Sequence, residues 1–323
     1  MNYRVFGRTG WKIGEIGYGM WGLADWTGSD EKNIEKSLDL AVESGCNFFD
    51  SAWAYGSGKS EKILGSLIKR HAGEKLYTAT KIPPRNFKWP SKREFTLDEC
   101  FPAEHIIEYT ERSLKNMGVE TIDLQQFHVW EDNWAEDDRW QTAVEKLKRE
   151  GKIRAVGVSV NRWEAENCVK TLETGLVDSV QVIYNIFDQA PEDVLFPVCE
   201  KLNIGIIARV PFDEGTLTGN ITKDTKFPED DWRSTYFVPD NLISSVDHTD
   251  GLRHLVPDGM TMAEMALRFI LCNDIVSTII PGMRKTAHVE SNINTSDGKL
   301  LQLNLQAELK KHRWDRKPTE WSQ

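Results

Sequence analysis

Long apolar runs and paired cysteines are both missing from this 323-residue sequence. No stretch approaches the roughly eighteen consecutive apolar residues of a membrane-spanning helix. The N-terminal segment also lacks the apolar core of a secretory signal. The five cysteines are scattered and form no CxxC pair, which argues against a disulfide or zinc framework. We therefore expect a cytoplasmic protein with reduced thiols, no membrane partner and no bound metal.

An excess of basic residues is absent too. The formal net charge is −10 at pH 7, which argues against a nucleic-acid partner, although a small anionic ligand can still bind a local basic patch. Hydrophobic residues make up 40% of the chain and charged residues 28%, a balance typical of a soluble globular protein. The sequence contains no internal repeat and no low-complexity tract.

What the sequence does contain is a regular alternation of short apolar runs and amphipathic segments. A glycine-rich hairpin is predicted over 3–16. Strands are predicted near 16–20, 46–50, 76–81, 122–127, 154–159, 179–184, 204–210 and 275–280. Helices are predicted near 31–44, 60–70, 104–117, 138–150, 163–173, 191–202, 261–272 and 286–293. Eight strands each followed by a helix is the pattern of a (β/α)8 TIM barrel. A doubly wound sheet also alternates, so periodicity alone does not choose between the two.

Two long polar segments interrupt the alternation, and we treat them as variable loops over about 82–104 and 212–259. Each directly follows a predicted strand, so in a barrel both lie on the C-terminal face, where specificity loops belong. A polar C-terminal extension over about 299–323 predicts one further helix. We interpret residues 1–323 as a single barrel domain.

One glycine motif near the N-terminus is misleading. Gly17, Gly19 and Gly22 fit the GxGxxG spacing of a dinucleotide-binding turn. In dinucleotide-binding proteins this turn leads directly into a helix, and an acidic residue follows about twenty residues later. Here a loop follows the glycines, and the acid that ends the next predicted strand, Asp50, lies too far along. We therefore interpret this segment as the loop after a barrel strand.

Four polar residues stand at or just after the ends of successive predicted strands. Asp50 ends an apolar run and Tyr55 follows in a short loop, while Lys81 and His128 end the next two strands. Each has an ordinary explanation alone, as a helix cap, a loop tyrosine, a solvated lysine or a structural histidine. In a barrel, however, strand ends converge around one mouth. We therefore predict that Asp50, Tyr55, Lys81 and His128 form one catalytic group.

The chemistry of these four residues is complementary. A tyrosine phenol with a pKa of about 10 is a poor acid at neutral pH, and a nearby ammonium lowers that pKa. We expect Lys81 to act on Tyr55 in this way, Asp50 to position Lys81, and a neutral His128 to polarise a carbonyl. The set suits proton donation to a carbonyl oxygen while hydride arrives from a cofactor. The sequence shows no nucleophile elbow, P-loop or metal-ligand cluster.

The segments FFDSAWAYG, TATKI, DLQQFH, GVS, VQVIYN and IIPGMRK together resemble the aldo-keto reductase family, in order and over nearly the whole chain. The resemblance implies a (β/α)8 barrel that binds NADP(H) and interconverts an aldehyde or ketone with its alcohol, with Tyr55 as general acid/base. It also implies that Ser159 and Gln181 hold the nicotinamide carboxamide. The other cofactor-binding positions that it implies are Gly19, Met20, Trp21, Asp50, Asn161, Arg209, Pro211, Phe212, Gly282, Arg284, His288 and Asn292.

For the adenosine end of the cofactor, the resemblance places Arg284 at a 2′-phosphate and Asn292 at the adenine. A guanidinium near a helix N-terminus is a strong anion site, although an ordinary exposed arginine is the simpler alternative. Arg284 therefore favours NADP(H), with NAD(H) as a weaker alternative. We expect three tryptophans that follow predicted strands, Trp21, Trp53 and Trp130, to line the pocket of a small carbonyl or alcohol substrate.

The sequence departs from the family pattern at several positions. Arg209 stands where the family presents an aromatic residue to the nicotinamide. An arginine plane can stack on a ring or contact a phosphate or a substrate carboxylate, but a positive charge beside an oxidised nicotinamide is unfavourable. The family has a serine followed directly by an asparagine. In this chain the asparagine stands one position further along, at Asn161. His288 and Ser291 stand where a glutamine and a glutamate are common.

Two other functions stay open on the sequence. One is a cofactor-binding regulatory subunit similar to the potassium-channel beta subunits, which share this barrel but depart at the position of His128. The other is a sugar or cyclitol dehydrogenase that uses the same residues on the same barrel.

Overall fold

The computed structural model describes residues 1–24 and 30–316. An antiparallel hairpin, β1 (Tyr3–Phe6) and β2 (Trp11–Gly14), comes first. Eight parallel strands follow: β3 (Tyr18–Gly19), β4 (Phe48–Asp50), β5 (Tyr77–Ile82), β6 (Ile122–Phe127), β7 (Ile153–Ser159), β8 (Ser179–Ile183), β9 (Gly205–Arg209) and β10 (Thr278–Ile279).

These eight strands pair in chain order, and the first and last of them meet to close a barrel. Parallel bridges join Ile16 to Ile279 and Gly19 to Gly282 across the seam. The Gly17 N–H donates to the Ile279 carbonyl at 2.8 Å. Because the two outer strands pair with each other, the sheet is a closed barrel and not an open doubly wound sheet. The predicted (β/α)8 class and N-terminal hairpin are confirmed, and β3 and β10 are shorter than the sequence indicates.

Helices surround the barrel. The α-helices are α1 (Glu31–Glu43), α2 (Lys59–Arg70), α3 (Leu97–Cys100), α4 (Ala103–Met117), α5 (Asp138–Arg149), α6 (Val169–Glu173), α7 (Leu195–Leu202), α8 (Arg233–Tyr236), α9 (Pro239–Asp250), α10 (Met262–Leu271), α11 (Thr286–Ile293) and α12 (Leu303–Lys310). Short 3-10 turns lie at Gly7–Thr9, Trp21–Leu23, Asp132–Trp134, Ala190–Glu192, Asp213–Thr218 and Arg253–Leu255. Within the described residues, no helix is long and apolar enough to cross a bilayer.

Local sequence signals explain several helix ends. The Asp30 carboxylate accepts from the Lys32 N–H at 3.2 Å and caps α1, whereas the neighbouring Ser29 lies outside the described residues. Gly118 takes the left-handed conformation (φ 66°) that ends α4. The predicted helix over 163–173 is reduced to α6. The variable loops contain three helices that were not predicted, the short α3 and α8 and the longer α9.

The core has two layers. Inside the barrel, an apolar layer that includes Phe48, Ala79 and Leu124 is closed at its lower end by Phe6 of the hairpin, whose ring lies 5.6 Å from that of Phe48. A larger layer lies between the strands and the surrounding helices. The hairpin therefore closes the N-terminal end of the barrel. The C-terminal end, where the active sites of such barrels lie, is not covered by it.

Candidate active site

Polar side chains form a layer directly above the apolar interior of the barrel. Side chains alternate along a strand, so a residue two positions after an inward-facing one also faces inward. Phe48, Ala79, Leu124, Ala155 and Ile207 lie in the barrel interior. This alternation places Asp50, Lys81, Gln126, Ser159 and Arg209 inward near the strand ends.

Lys81 is the centre of this layer. Its ammonium donates to Asp50 Oδ2 at 2.5 Å, to the Ser51 carbonyl at 2.8 Å and to the Tyr55 hydroxyl at 3.3 Å. The Lys81 and Asp50 side chains are only 1% and 2% exposed. Burial is the largest single effect and lowers the Lys81 pKa, but the Asp50 carboxylate and the Tyr55 hydroxyl together raise that pKa above the usual value. Lys81 is therefore a buried cation whose charge Asp50 balances.

Two glutamines hold the other oxygen of Asp50. Asp50 Oδ1 accepts from Gln126 Nε2 and from Gln181 Nε2, both at 2.9 Å. Gln181 Nε2 also donates to Gln126 Oε1 at 3.2 Å. Gln181, expected at the nicotinamide carboxamide, thus uses its amide nitrogen inside the protein. Gln126 was not predicted as a site residue, although its place between inward-facing Leu124 and His128 is the signal that could have identified it.

Tyr55 lies on the turn after β4, half-buried, with its hydroxyl beside Lys81. Burial raises the Tyr55 pKa above its ordinary value, and the nearby Lys81 charge only limits this rise. Lys81 lowers the Tyr55 pKa as expected, but burial is the larger effect, so the net shift is upward. Tyr55 is protonated at neutral pH, as any phenol with a pKa of about 10 or above is, and the Lys81 ammonium offsets part of the loss of acidity that burial causes.

His128 faces Tyr55 from the next strand end but one. The two ring centroids are 5.7 Å apart at an interplanar angle of 79°. Burial, followed by the positive charges of Lys81 and Arg209, holds the His128 pKa well below its ordinary value, so the imidazole is neutral. Its Nδ1 atom is buried and has no hydrogen-bond partner in the described part of the chain. The structure thus brings all four predicted catalytic residues together.

Aromatic side chains surround this group, but they are not all the predicted ones. Trp21 is 42% exposed, and its ring lies 6.5 Å from that of Tyr55. Trp89, which the sequence analysis did not select, packs edge-on against His128 at 5.5 Å. Trp232, from the second variable loop, covers Trp21 at 5.2 Å. Both missed tryptophans lie on long loops whose path the sequence pattern does not give.

Trp53 and Trp130 differ in how far they match the expected pocket wall. Trp53 is half-buried and packs against Tyr109 at 4.8 Å. Trp130 is fully buried, stacks edge-on with Trp140 at 5.2 Å and donates to Thr171 Oγ1 at 2.7 Å. Its ring therefore belongs to the layer between barrel and helices, which does not support the expected contact with substrate.

Gly19 and Met20, expected beside a cofactor, are both explained by packing. A Cβ atom on Gly19 would come within 2.6 Å of the Ile280 carbonyl oxygen, so glycine is needed where β3 meets the opposite side of the barrel seam. Met20 is fully buried, and its N–H donates to the Asp50 carbonyl at 3.0 Å.

Ser159 and Asn161 lie at and just beyond the end of β7. Ser159 is buried and pairs in register with Gln181. Asn161 Nδ2 donates to the Ser91 carbonyl at 3.2 Å and to Ser91 Oγ at 3.3 Å. This amide therefore ties the β7 end to the first variable loop, and its oxygen is the atom left to accept from a ligand.

Arg209 ends β9 on the inward side of the mouth. Its Nη2 donates to the Val160 carbonyl at 3.0 Å, while Nε is buried without a partner in the described residues. Burial lowers the Arg209 pKa, although an arginine remains charged. Pro211 is buried and Phe212 half-buried in the loop that follows. A 3-10 turn then runs over Asp213–Thr218, where Asp213 and Glu214 adopt positive φ angles of 45° and 57°.

The predicted adenosine-binding residues lie together at the start of and within α11. Gly282 and His288 are exposed, Arg284 is half-buried and Asn292 is buried. The Arg284 charge contributes to lowering the Asp231 pKa, after hydrogen bonds from Arg233, although burial opposes both. The second variable loop therefore reaches this region and brings an acid to it.

Comparison with known proteins agrees with this architecture. Residues 15–307 match the sequence profile of the Aldo/keto reductase family. The chain is 29% identical over 302 residues to aldo-keto reductase YhdN of Bacillus subtilis (strain 168), covering 90% of this chain and 87% of that protein. It is 27% identical over 308 residues to the NADH-specific methylglyoxal reductase of Escherichia coli (strain K12), covering 89% and 91%.

The fold also matches solved structures. The glycerol dehydrogenase AKR11B4 from Gluconobacter oxydans superimposes with a TM-score of 0.79 at 27% identity, covering 98% of this chain and 97% of that one. A profile match over nearly the whole chain, on a barrel whose strand ends carry this buried polar group, establishes the assignment. The chain belongs to the aldo/keto reductase family of oxidoreductases.

Proposed function

We propose that this protein is an NADP(H)-dependent oxidoreductase that interconverts an aldehyde or ketone with its alcohol. The observation that carries the proposal is the hydrogen-bonded series from Asp50 through Lys81 to Tyr55, with separations of 2.5 Å and 3.3 Å. Its free end is a phenol that faces a neutral imidazole, His128. Such an arrangement can donate a proton to a carbonyl oxygen and recover it in the reverse reaction.

Each residue of the series has a distinct part in this proton transfer. Tyr55 is protonated before reaction, since its pKa lies above the ordinary phenol value of about 10. As the proton leaves, the Lys81 ammonium stabilises the developing phenolate, and Asp50 keeps that ammonium in place. The neutral His128 ring orients and polarises the substrate carbonyl. In alcohol oxidation the same groups act in reverse, with Tyr55 as the base.

The mouth of the barrel also fits a nicotinamide nucleotide. Buried nitrogen atoms of His128 (Nδ1), Arg209 (Nε) and Trp89 (Nε1) have no partner in the described residues, so they are available to groups of a bound ligand. The Gln181 amide nitrogen is already used by Asp50 and Gln126, so we infer that its oxygen accepts from the carboxamide, beside Ser159. The bound cofactor supplies or accepts the hydride.

Arg284 carries the preference for NADP(H) over NAD(H). It lies just before the N-terminus of α11, where guanidinium and helix end both favour a phosphate. The relative from E. coli is named as NADH-specific, so this preference has to be measured for this chain.

The direct test is a substrate screen with purified protein. NADPH oxidation is followed with aldehydes and ketones, including methylglyoxal, and NADP⁺ reduction is followed with glycerol, sugars and cyclitols. We expect carbonyl-dependent NADPH oxidation. Turnover with polyols alone would identify a sugar or cyclitol dehydrogenase. Tight NADPH binding without turnover of any substrate would contradict the enzymatic function and favour a regulatory role of the potassium-channel beta-subunit type.

A further inference from the structure

The inward-facing residues at the strand ends leave one positive charge at the barrel mouth. Lys81 and Asp50 cancel each other at 2.5 Å, and His128 is uncharged. Among the described residues of this layer, Arg209 is the remaining charged group, two positions after inward-facing Ile207. The mouth beside Tyr55 therefore carries a net positive charge.

Arg209 is held in this place by the backbone. Its Nη2 donates to the Val160 carbonyl at 3.0 Å, beside the end of β7, and Ile183 pairs with Arg209 in register. Its charge acts on both partners of the proton transfer, since it lowers the pKa of Tyr55 and of His128 in addition to larger effects. The guanidinium thus lies within electrostatic range of the reacting groups.

The neighbouring acids do not fully neutralise Arg209. Asp188 accepts from Arg162 at 3.3 Å, from Arg316 at 3.0 Å and from Asn185 at 2.9 Å, so its charge is already shared. Glu214 attracts Arg209, but the two side chains form no ion pair within the described residues. The arginine charge is consequently available to a ligand in the mouth.

We propose that Arg209 makes this site bind the reduced nicotinamide cofactor more tightly than the oxidised one. The inference rests on the proposed function. Hydride passes to the carbon whose oxygen Tyr55 protonates, so the nicotinamide ring has to lie within a few ångströms of Tyr55 and within range of Arg209. The oxidised ring carries one more positive charge than the reduced ring, and like charges repel strongly in a poorly solvated site.

This repulsion has a thermodynamic consequence that does not depend on turnover. If the oxidised cofactor binds more weakly than the reduced one, the reduction potential of the bound couple rises by the same free energy, and the equilibrium on the enzyme shifts towards the reduced cofactor. A tenfold difference in the two dissociation constants corresponds to ~30 mV for a two-electron couple. The ratio of the dissociation constants is therefore the quantity to measure.

The experiment titrates NADPH and NADP⁺ separately into the purified full-length protein and its variants, with tryptophan fluorescence or calorimetry as the readout. Arg209→Gln and Arg209→Met remove the charge, and the second variant is available should the first fail to fold. Arg209→Lys keeps the charge. Arg154→Gln is the matched control, since it removes an arginine that is paired with Asp123 near the opposite end of β7.

We expect the wild-type ratio Kd(NADP⁺)/Kd(NADPH) to fall by about tenfold or more in the neutral variants, and to persist in Arg209→Lys and Arg154→Gln. An unchanged ratio in both neutral variants would overturn the inference while leaving the proposed function intact. A loss in Arg209→Lys as large as in Arg209→Gln would overturn it too, because shape and not charge would then be responsible. If wild-type protein binds neither nucleotide, the proposed function fails and this inference with it.

Discussion

The Lys81 ammonium donates a 2.5 Å hydrogen bond to the Asp50 carboxylate where both side chains are almost completely removed from solvent. The pair is connected on one side to the Tyr55 hydroxyl and on the other to the amides of Gln126 and Gln181. Removing one member of a buried ion pair strongly destabilises the folded protein, because the remaining charge stays buried without compensation. The pair therefore links the stability of the barrel to the placement of its proton donor.

A double-mutant cycle on this pair tests that link. Asp50→Asn and Lys81→Met should each lower the free energy of unfolding by about 3–5 kcal/mol, because each leaves its partner buried without full compensation. The double variant should lose clearly less than the sum, since no uncompensated charge remains. Urea unfolding measures all four proteins. Strictly additive losses would show that the two charges do not depend on each other.

The pH dependence of stability should report the neutral state of His128. Its pKa in the folded protein lies well below the ordinary value of 6.5. Above about pH 6.5 both folded and unfolded states hold a neutral ring, but below it the unfolded state takes up a proton that the folded state does not. Stability should therefore fall as the pH decreases from about 6.5.

Replacing this ring removes the effect. In His128→Asn the acid-side loss of stability should be shallower, by at most about 1.4 kcal/mol per pH unit. Unfolding of wild type and variant at a series of pH values between 5 and 8 measures the difference, and the exposed His254→Asn serves as the control. Identical slopes in wild type and His128→Asn would contradict a buried neutral imidazole.

Cofactor choice depends on Arg284 in this account. Arg284→Ala should weaken NADPH binding by roughly tenfold or more while changing NADH binding little, because a charge-assisted contact to the 2′-phosphate contributes about 1.5–3 kcal/mol. The exposed neighbour Lys285→Ala is the control. Equal losses for both nucleotides would mean that Arg284 does not read the 2′-phosphate.

The C-terminal segment should contribute to stability through a second buried charge cluster. Arg316 donates to Asp213 at 2.6 Å and to Asp188 at 3.0 Å, and Arg162 shares both acids. Arg316→Met should lower the free energy of unfolding by about 3 kcal/mol, because the acids stay buried with one cation fewer.

The matched control for Arg316 is Arg313, which pairs with Asp193 near the surface at 2.6 Å. Arg313→Met should change stability by about 1 kcal/mol or less, as exposed ion pairs do. Thermal or urea unfolding compares the two variants. Losses of similar size would show that burial of Arg316 does not increase its contribution to the free energy of unfolding.

Much of the fold was predictable because its signals are local. Short apolar runs, caps such as Asp30 and terminators such as Gly118 act over a few residues and identify the strands and helices. The convergence of Asp50, Lys81 and His128 follows from the count of strands and the geometry of a barrel. The barrel closes where Ile16 pairs with Ile279. These residues lie far apart in the chain, so no local sequence pattern indicates the pairing.

Other features depend on the conformation of long loops or on the extent of burial, and the sequence pattern determines neither. Trp130 follows a strand, but β6 ends at Phe127, so the alternation no longer fixes the direction of its ring. Trp89 and Trp232 reach the mouth from long loops. The direction of the Tyr55 pKa shift depends on how far burial outweighs the Lys81 charge, which requires the packed structure. The departures from expectation are therefore in long-range contacts and burial.

The proposed function requires that Tyr55 donates the proton, and the activity of the Tyr55→Phe variant is the direct test. The substitution removes the hydroxyl beside Lys81 and keeps the ring that packs near Trp21 and His128. With a carbonyl substrate that the wild type turns over, kcat should fall by roughly 10²-fold or more while the Kd for NADPH is unchanged. Full activity in Tyr55→Phe would contradict the account.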